Sequence, residues 1–210
     1  KYMNFSRCYR QAFDPNIIDI VEENSMILEE KLLIGALDIA ILCLPLKNSN
    51  VNYQVFYEEP LYVALPSSHP LNSEGFQRDG EEMPYIPLEK LKGAEFILTK
   101  SFKKTRMAAD RILKYLDGDY SVVLESQNIE TVIRLVSSGL GISLIPNIYS
   151  KVYSTGNDVN YYKIDDSYHP VWQWAVIYNE SIEKLTRPSK ELYNILCEDG
   201  CQLPNYVNVT

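Results

Sequence analysis

The sequence predicts an α/β fold made of two small lobes. Three observations predict it: helical and strand-like stretches alternate along the chain, the strand-like runs are continuously apolar, and Ser, Thr or Asn marks the junctions between them. Short apolar runs interleaved with amphipathic helices are the parts of a parallel α/β sheet, because such strands are buried on both faces. The stretch from Ser25 to Pro66 shows this most fully, reading S-M-I-L-E-E-K-L-L-I-G-A-L-D-I-A-I-L and then, after a polar loop, Y-E-E-P-L-Y-V-A-L-P-S-S-H-P-L.

Taken in order, Phe5, Cys8, Tyr9, Ala12 and Phe13 recur at helical spacing and predict an amphipathic helix that Asp14-Pro15 ends. Residues 17–21 read as a strand. A second helix runs from Ser25 towards Gly35, with Leu28, Leu32 and Leu33 on its apolar side and Gly35 as its stop. Residues 37–42 are too short for a helix and rich in branched side chains, so they predict a buried strand; 61–65 predict another, closed by Pro66. Residues 72–87 are rich in Gly, Pro and charge and read as a surface loop, either a solvated insertion or a mobile flap.

Residues 95–98 predict the next strand, and Thr99-Lys100-Ser101 turns the chain into a helix with Ala109, Ile112, Leu113 and Leu116 inward. Residues 122–124 form a strand. Asn128 then caps a helix burying Ile129, Val132, Ile133 and Val136, with Glu130 in the first turn where the positive helix end favours a carboxylate. Gly139-Leu140-Gly141 stops that helix, 142–145 form a strand, and Pro146 closes it. Residues 161–164 and 171–178 predict two more strands, the second with Trp172 and Trp174 on one side. Thr186 caps the last helix, which tolerates Pro188 in its first turn and faces Leu192, Ile195 and Leu196 inward.

Composition narrows the function. The 210 residues suffice for a proper core, and 46% hydrophobic with 23% charged residues is ordinary globular chemistry. A formal net charge of -8, with no basic cluster, argues against this segment gripping nucleic acid, which needs Lys and Arg against phosphates. No apolar run is long enough to span a bilayer, and Lys1-Tyr2-Met3-Asn4-Phe5-Ser6 lacks signal-peptide character. Cys8, Cys43, Cys197 and Cys201 have no C-x-x-C or zinc spacing, so they read as free thiols in a reducing cytoplasm; Cys197 and Cys201, four apart, are the one conceivable redox pair. No nucleophile motif, H-E-x-x-H, phosphate loop or G-x-G-x-x-G is present, and His69 and His169 each precede proline and mark extended segments. Neither catalysis, a metal nor a cofactor is expected.

Two motifs carry a family resemblance. "L..G.LD.AI" followed by "E.LYVALP..HPL" resembles the effector-binding domain of LysR-type transcriptional regulators. A second match lies in Glu125-Ser126-Gln127-Asn128-Ile129-Glu130-Thr131 and in Leu135-Val136-Ser137-Ser138-Gly139-Leu140-Gly141-Ile142-Ser143-Leu144-Ile145-Pro146. The resemblance implies a two-lobed periplasmic-binding-protein-like (type 2) fold, two Rossmann-like subdomains joined by two crossovers. Subdomain I would comprise 1–67 and 173–210, without the short strand that precedes the first helix in the family, and subdomain II 68–172, with a ligand cleft between them. It further implies a small-molecule effector, a homodimer or tetramer, and DNA contact through a winged helix-turn-helix absent from this chain. Pairing would set the helix over 5–13 against the helix over 128–136 of a second copy. A free-standing solute-binding protein of a transporter shares the fold and is the alternative; an enzyme on the same scaffold is a third.

Candidate binding residues follow from the strand-to-helix junctions, where open α/β sheets bind ligands and free backbone N–H groups suit an anion. Asn24-Ser25, Thr99-Lys100-Ser101 and Gln127-Asn128 are such junctions. Ser25 is either an ordinary N-cap or a hydroxyl donor to an effector, and the resemblance favours the donor. Thr99 and Ser101 face the same choice, and Lys100 adds a cation, so the three together would cradle a carboxylate or phosphate. Gln127 and Asn128 would read polar groups, though Asn128 is equally a cap. Cys43, after the strand over 37–42, either touches a ligand or packs as a small apolar residue.

Overall fold

The computed structural model describes residues 19–153 and 156–197. The expected helix over 5–13, residues 17–18 of the first expected strand, Cys8 and Cys201 lie outside them. Residues 19–21, the described part of that strand, carry no regular structure.

The described chain forms two compact units, one of residues up to Glu58 and from Gln173 onwards, the other Glu59–Trp172. In the first unit, α1 (Ser25–Leu33) is capped by Asn24, whose Oδ1 accepts from the Ile27 N–H at 3.1 Å. It stops at Gly35 (φ +74°): the Gly35 and Ala36 N–H groups donate back to the Leu32 and Lys31 carbonyls, closing the left-handed turn that glycine adopts without strain. β1 (Ile39–Cys43) follows and pairs antiparallel with β7 (Val171–Tyr178), Ile39 opposite Tyr178 and Cys43 opposite Trp174. Strand alternation then builds two layers. Ala40, Leu42, Ala175 and Ile177 pack with Leu32 of α1, whereas Val176 and Tyr178 face Tyr193 and Leu196 of α5 (Arg187–Cys197). Full burial of a side chain such as Leu32 is worth roughly 1.5–3 kcal/mol, which is what holds the helix to the ladder.

β2 (Asn52–Pro66) is longer than the five residues expected, its first half largely exposed and its second half, from Leu61, fully buried. In the second unit it pairs antiparallel with β5 (Ser143–Pro146) and β6 (Val159–Lys163). β3 (Glu95–Thr99) and β4 (Ser121–Ser126) pair in parallel, Leu98 opposite Glu125 and Thr99 opposite Ser126, and β4 leaves Val123 and Leu124 exposed. α2 (Lys104–Leu113) buries Ala108, Ala109, Ile112 and Leu113. α3 (Ile129–Ser137) buries Val132, Ile133 and Val136 against Ile97 and Ile145. Short α4 (Asn147–Val152), which the sequence did not announce, follows β5 directly.

The expectation of a parallel sheet is corrected for β1 with β7 and for β2 with β5 and β6, which pair antiparallel. β3 and β4 pair in parallel, and Phe96 of β3 makes a parallel bridge to Ile142 just before β5. An apolar run reports burial on both faces and says nothing of the partner's direction. The eight residues between β1 and β2 are also too few for a parallel crossover. His169 is a second correction: it sits at φ +47° rather than extended, because its N–H closes the turn over Asp166–Tyr168.

Residues 72–87 are not a loose flap. Phe76 and Tyr85 exchange backbone hydrogen bonds, Tyr85 is 2% exposed, and the Arg78 guanidinium lies 4.0 Å from the Tyr85 ring centre. Arg78 pairs with Asp165 at 2.5 Å and Glu81 with Lys163 at 2.5 Å, fastening the segment to β6 and the turn after it. The Ser167 hydroxyl, together with Arg78 and the Ser167 N–H, holds the Asp165 carboxyl well below the usual carboxylate range. A carboxylate depressed in the folded state stabilises above its unfolded pKa of about 4 and loses that contribution as pH falls through the folded value. Asp165→Asn should flatten the acid limb of stability below about pH 4, measured as the thermal midpoint against pH; an unchanged limb would mean this tie is not made.

Candidate functional site

The carboxyl ends of β3 and β4 bring five of the seven candidate residues together. The two strands run in parallel, so Thr99-Lys100-Ser101 and Gln127-Asn128 emerge side by side, joined by a hydrogen bond from the Lys100 N–H to the Ser126 carbonyl at 2.8 Å. Their side chains have different fates. Thr99 is 4% exposed and its Oγ1 lies 2.8 Å from Thr105 Oγ1, so it locks the end of β3 to α2 and is not the helix cap. Lys103 occupies that cap position, without a side-chain bond. Asn128 is a cap: its Oδ1 accepts from the Glu130 N–H at 2.9 Å, while its own N–H donates to Ser126 Oγ. Ser101 and Gln127 are exposed.

Lys100 is engaged by a residue that sequence reasoning did not select. Its Nζ lies 3.2 Å from Glu125 Oε2, and the other carboxylate oxygen of Glu125 accepts from Arg106 Nη1 at 2.5 Å. Arg106, whose side chain is 14% exposed, also donates to the Thr99 carbonyl at 3.1 Å and to Asp110 Oδ1 at 2.8 Å. Arg106 first, then Lys100, holds the Glu125 carboxyl below its usual range. The junction is thus a charged cluster of two cations and two carboxylates, in which hydrogen bonds to ionised groups are the strong ones. Glu125 stood in the quoted motif, opposite Leu98; only the register of β3 and β4 pairs it with Lys100 and Arg106.

Ser25 and Cys43 lie in the other unit. Asn24, not Ser25, caps α1, which leaves the half-buried Ser25 hydroxyl with no hydrogen bond among the described residues. Cys43 is the last residue of β1 and only 7% exposed. Lys47 Nζ, 3.5 Å from Met26 Sδ, places the first turn of α1 beside the segment that follows Cys43. That segment is held by Glu29, 3% exposed, whose Oε2 accepts from the Lys47 and Asn48 N–H groups at 2.9 and 3.0 Å. A hollow of about 150 Å³ beside it is lined by Met26, Glu30, Leu33 and the same three residues. Glu29 had a visible signal, being a carboxylate next to the Leu28–Leu32 stripe. Glu59, also 3% exposed, accepts from the Ile148 N–H at the start of α4, where the helix dipole favours it; α4 itself was not anticipated, so neither was that role.

Among the described residues no group of three His, Cys, Asp or Glu is placed to hold a metal ion, and no helix is long and apolar enough to cross a membrane. Cys43 is buried and Cys197 half-buried.

Two α/β units between which the chain passes twice, along β2 and β7, define a two-lobed fold of the periplasmic-binding-protein-like class. Within that class the chain belongs to the LysR substrate binding domain family, whose pattern it matches over residues 9–187. It is similar to the HTH-type transcriptional regulator AlsR of Bacillus subtilis (strain 168), 28% identical over 83% of this chain and 54% of that protein. It is also similar to the Hca operon transcriptional activator HcaR of Escherichia coli (strain K12), 29% identical over 72% of this chain and 48% of that protein. The chain thus spans about half the length of these relatives. Its fold is similar to that of the Synechocystis PCC6803 CcmR regulatory domain, solved in complex with 2-PG, with a TM-score of 0.70, 21% identity, and coverage of 95% of this chain and 90% of that one.

Proposed function

We propose that this chain is the ligand-sensing domain of a LysR-type transcriptional regulator, and that its effector is a small molecule carrying a carboxylate or phosphate. The observation that carries this reading is the family match over 9–187 in a chain whose relatives are named transcriptional regulators about twice its matched length. That favours a regulator over a solute-binding protein of a transporter. The remainder of the regulator would hold the DNA, consistent with a net charge of -8 here. It would act in the cytoplasm as a homodimer or tetramer, without catalysis. Effector binding switches transcription only by favouring one arrangement of the domain over another, so its affinities for the two must differ.

The effector's anionic group is proposed to sit at the β3 and β4 carboxyl ends, with Lys100, Ser101 and Gln127 among its direct contacts. Thr99 and Asn128 shape the site through the bonds described. The CcmR regulatory domain was solved in complex with 2-PG, so 2-PG joins the screen. The test is a thermal-shift screen against organic acids, amino acids and sugar phosphates. A true effector at a hundredfold excess over its Kd should stabilise by about 2.7 kcal/mol, a saturable rise of several degrees. Lys100→Met and Ser101→Ala should abolish the rise without moving the unliganded midpoint much. A rise that survives both substitutions would remove these residues from the site, and no rise with any compound would count against the effector reading.

A further inference from the structure

We infer that Glu125 is an internal stand-in for the effector's anionic group, holding Lys100 and Arg106 until an incoming anion exchanges with it; the inference rests on the anion-binding reading above. Four observations carry it. First, one carboxylate bridges two cations from separate elements: Oε2 meets Lys100 on the turn after β3, and Oε1 meets Arg106 in the first turn of α2. That is the pairing a ligand carboxylate or phosphate would make. Second, the Glu125 side chain is 33% exposed and stands on β4, whose outward residues Val123 and Leu124 are also exposed, so it can swing away without breaking a core.

Third, the two cations are anchored unequally. Arg106 keeps Asp110 and the Thr99 carbonyl when Glu125 leaves, so its guanidinium stays in place. Lys100 Nζ has Glu125 as its ion-pair partner among the described residues, so it is the cation set free. Fourth, Ser101 and Gln127 flank the pair, exposed, one on each junction. The consequence is selectivity. An anion must replace both contacts of Glu125 at once, so a bidentate group gains entry and a singly hydrogen-bonding one meets an uncompensated like charge.

The test compares binding of inorganic phosphate to the wild-type domain, to Glu125→Gln and to Glu125→Gln/Lys100→Met by calorimetric titration. Gln keeps the shape and one acceptor but removes the competing charge, so Glu125→Gln should bind phosphate at least tenfold more tightly than wild type, and the added Lys100→Met should reverse the gain. Glu125→Asp, which draws the carboxylate back by one methylene, should fall between and serves if the Gln variant folds poorly. Equal or weaker phosphate binding by Glu125→Gln overturns the inference, as does a gain that persists in the double variant. An organic acid from the screen that binds wild type and Glu125→Gln equally would also overturn it, and would leave the effector reading standing.

Discussion

Gly141→Ala should lower the stability of the domain by about 2–4 kcal/mol, a fall of roughly 5–15 °C in its thermal midpoint. A Cβ at Gly141 would lie 2.7 Å from the Glu95 carbonyl oxygen and 3.1 Å from Ile97 Cγ1. The first of these is main chain and cannot rotate away. The Ile142 N–H donates to that same Glu95 carbonyl, and the Ile97 N–H donates to Ile142, so the pressure falls on the hydrogen bonds that set β5 beside β3. The backbone there has φ +154°, which adds strain for any side chain. Gly139→Ala is the control. It meets nothing within 4 Å and carries only the strain of φ +81°, about 1 kcal/mol. Equal losses at the two positions, read from denaturant or thermal unfolding, would mean the chain does not approach Glu95 as described.

Asn72→Ala should cost about 2–4 kcal/mol, and Asn72→Asp at least as much. Asn72 Nδ2 lies 2.8 Å from the Pro66 carbonyl, 3.0 Å from that of Ser67 and 2.8 Å from that of His69, while Oδ1 accepts from Asn160 Nδ2 and the Tyr162 hydroxyl at 3.0 Å each. One side chain therefore ties the end of β2 to β6. Truncation takes the acceptor from the Asn160 amide and the Tyr162 hydroxyl, at about 1–3 kcal/mol for each group left unsatisfied before water makes good part of the loss. The Pro66 and His69 carbonyls keep the His69 and Asn72 N–H groups. Asp is the discriminating substitution because it keeps the acceptor towards Asn160 and Tyr162 but turns a second oxygen on three carbonyls. An Asp variant as stable as wild type, measured by unfolding at neutral pH, would show that the carbonyl contacts contribute nothing.

The candidate site was partly legible in the sequence. That Thr99-Lys100-Ser101 and Gln127-Asn128 follow strands and precede helices came from local patterning, and those two junctions do meet, through the register of β3 on β4. What each side chain does there was not legible. Asn128 reads as a cap because a cap is a local bond, made to a backbone group two residues on. Thr99 pairs with Thr105, six residues away, and Lys100 with Glu125, twenty-five away; no spacing rule announces the second. Arg106 escaped notice altogether, since an arginine near the start of an amphipathic helix looks like a solvated face until the neighbouring strand supplies its carboxylate.

Helices were the most secure reading. α1, α2, α3 and α5 stand where their apolar stripes and punctuating residues put them, with Asn128 at one start and Gly35 and Gly139 at two stops, although Asn24 caps α1 where the sequence offered Ser25. Each of those signals is settled within four residues of chain, so the sequence by itself determined them, along with the family through its two motifs. Strand existence was legible for most of the short apolar runs, but residues 19–21 of the expected first strand carry no regular structure, and β4 leaves Val123 and Leu124 exposed. Strand direction and partnership belonged to the tertiary structure. Whether β1 meets β7 or β2, and in which sense, depends on residues more than a hundred positions away. The fastening of 72–87 was decided there too. A segment rich in Gly, Pro and charge reads as loose, but Arg78 and Glu81 find Asp165 and Lys163 only once β6 lies alongside, and Coulomb attraction acts on distance in space, not along the chain.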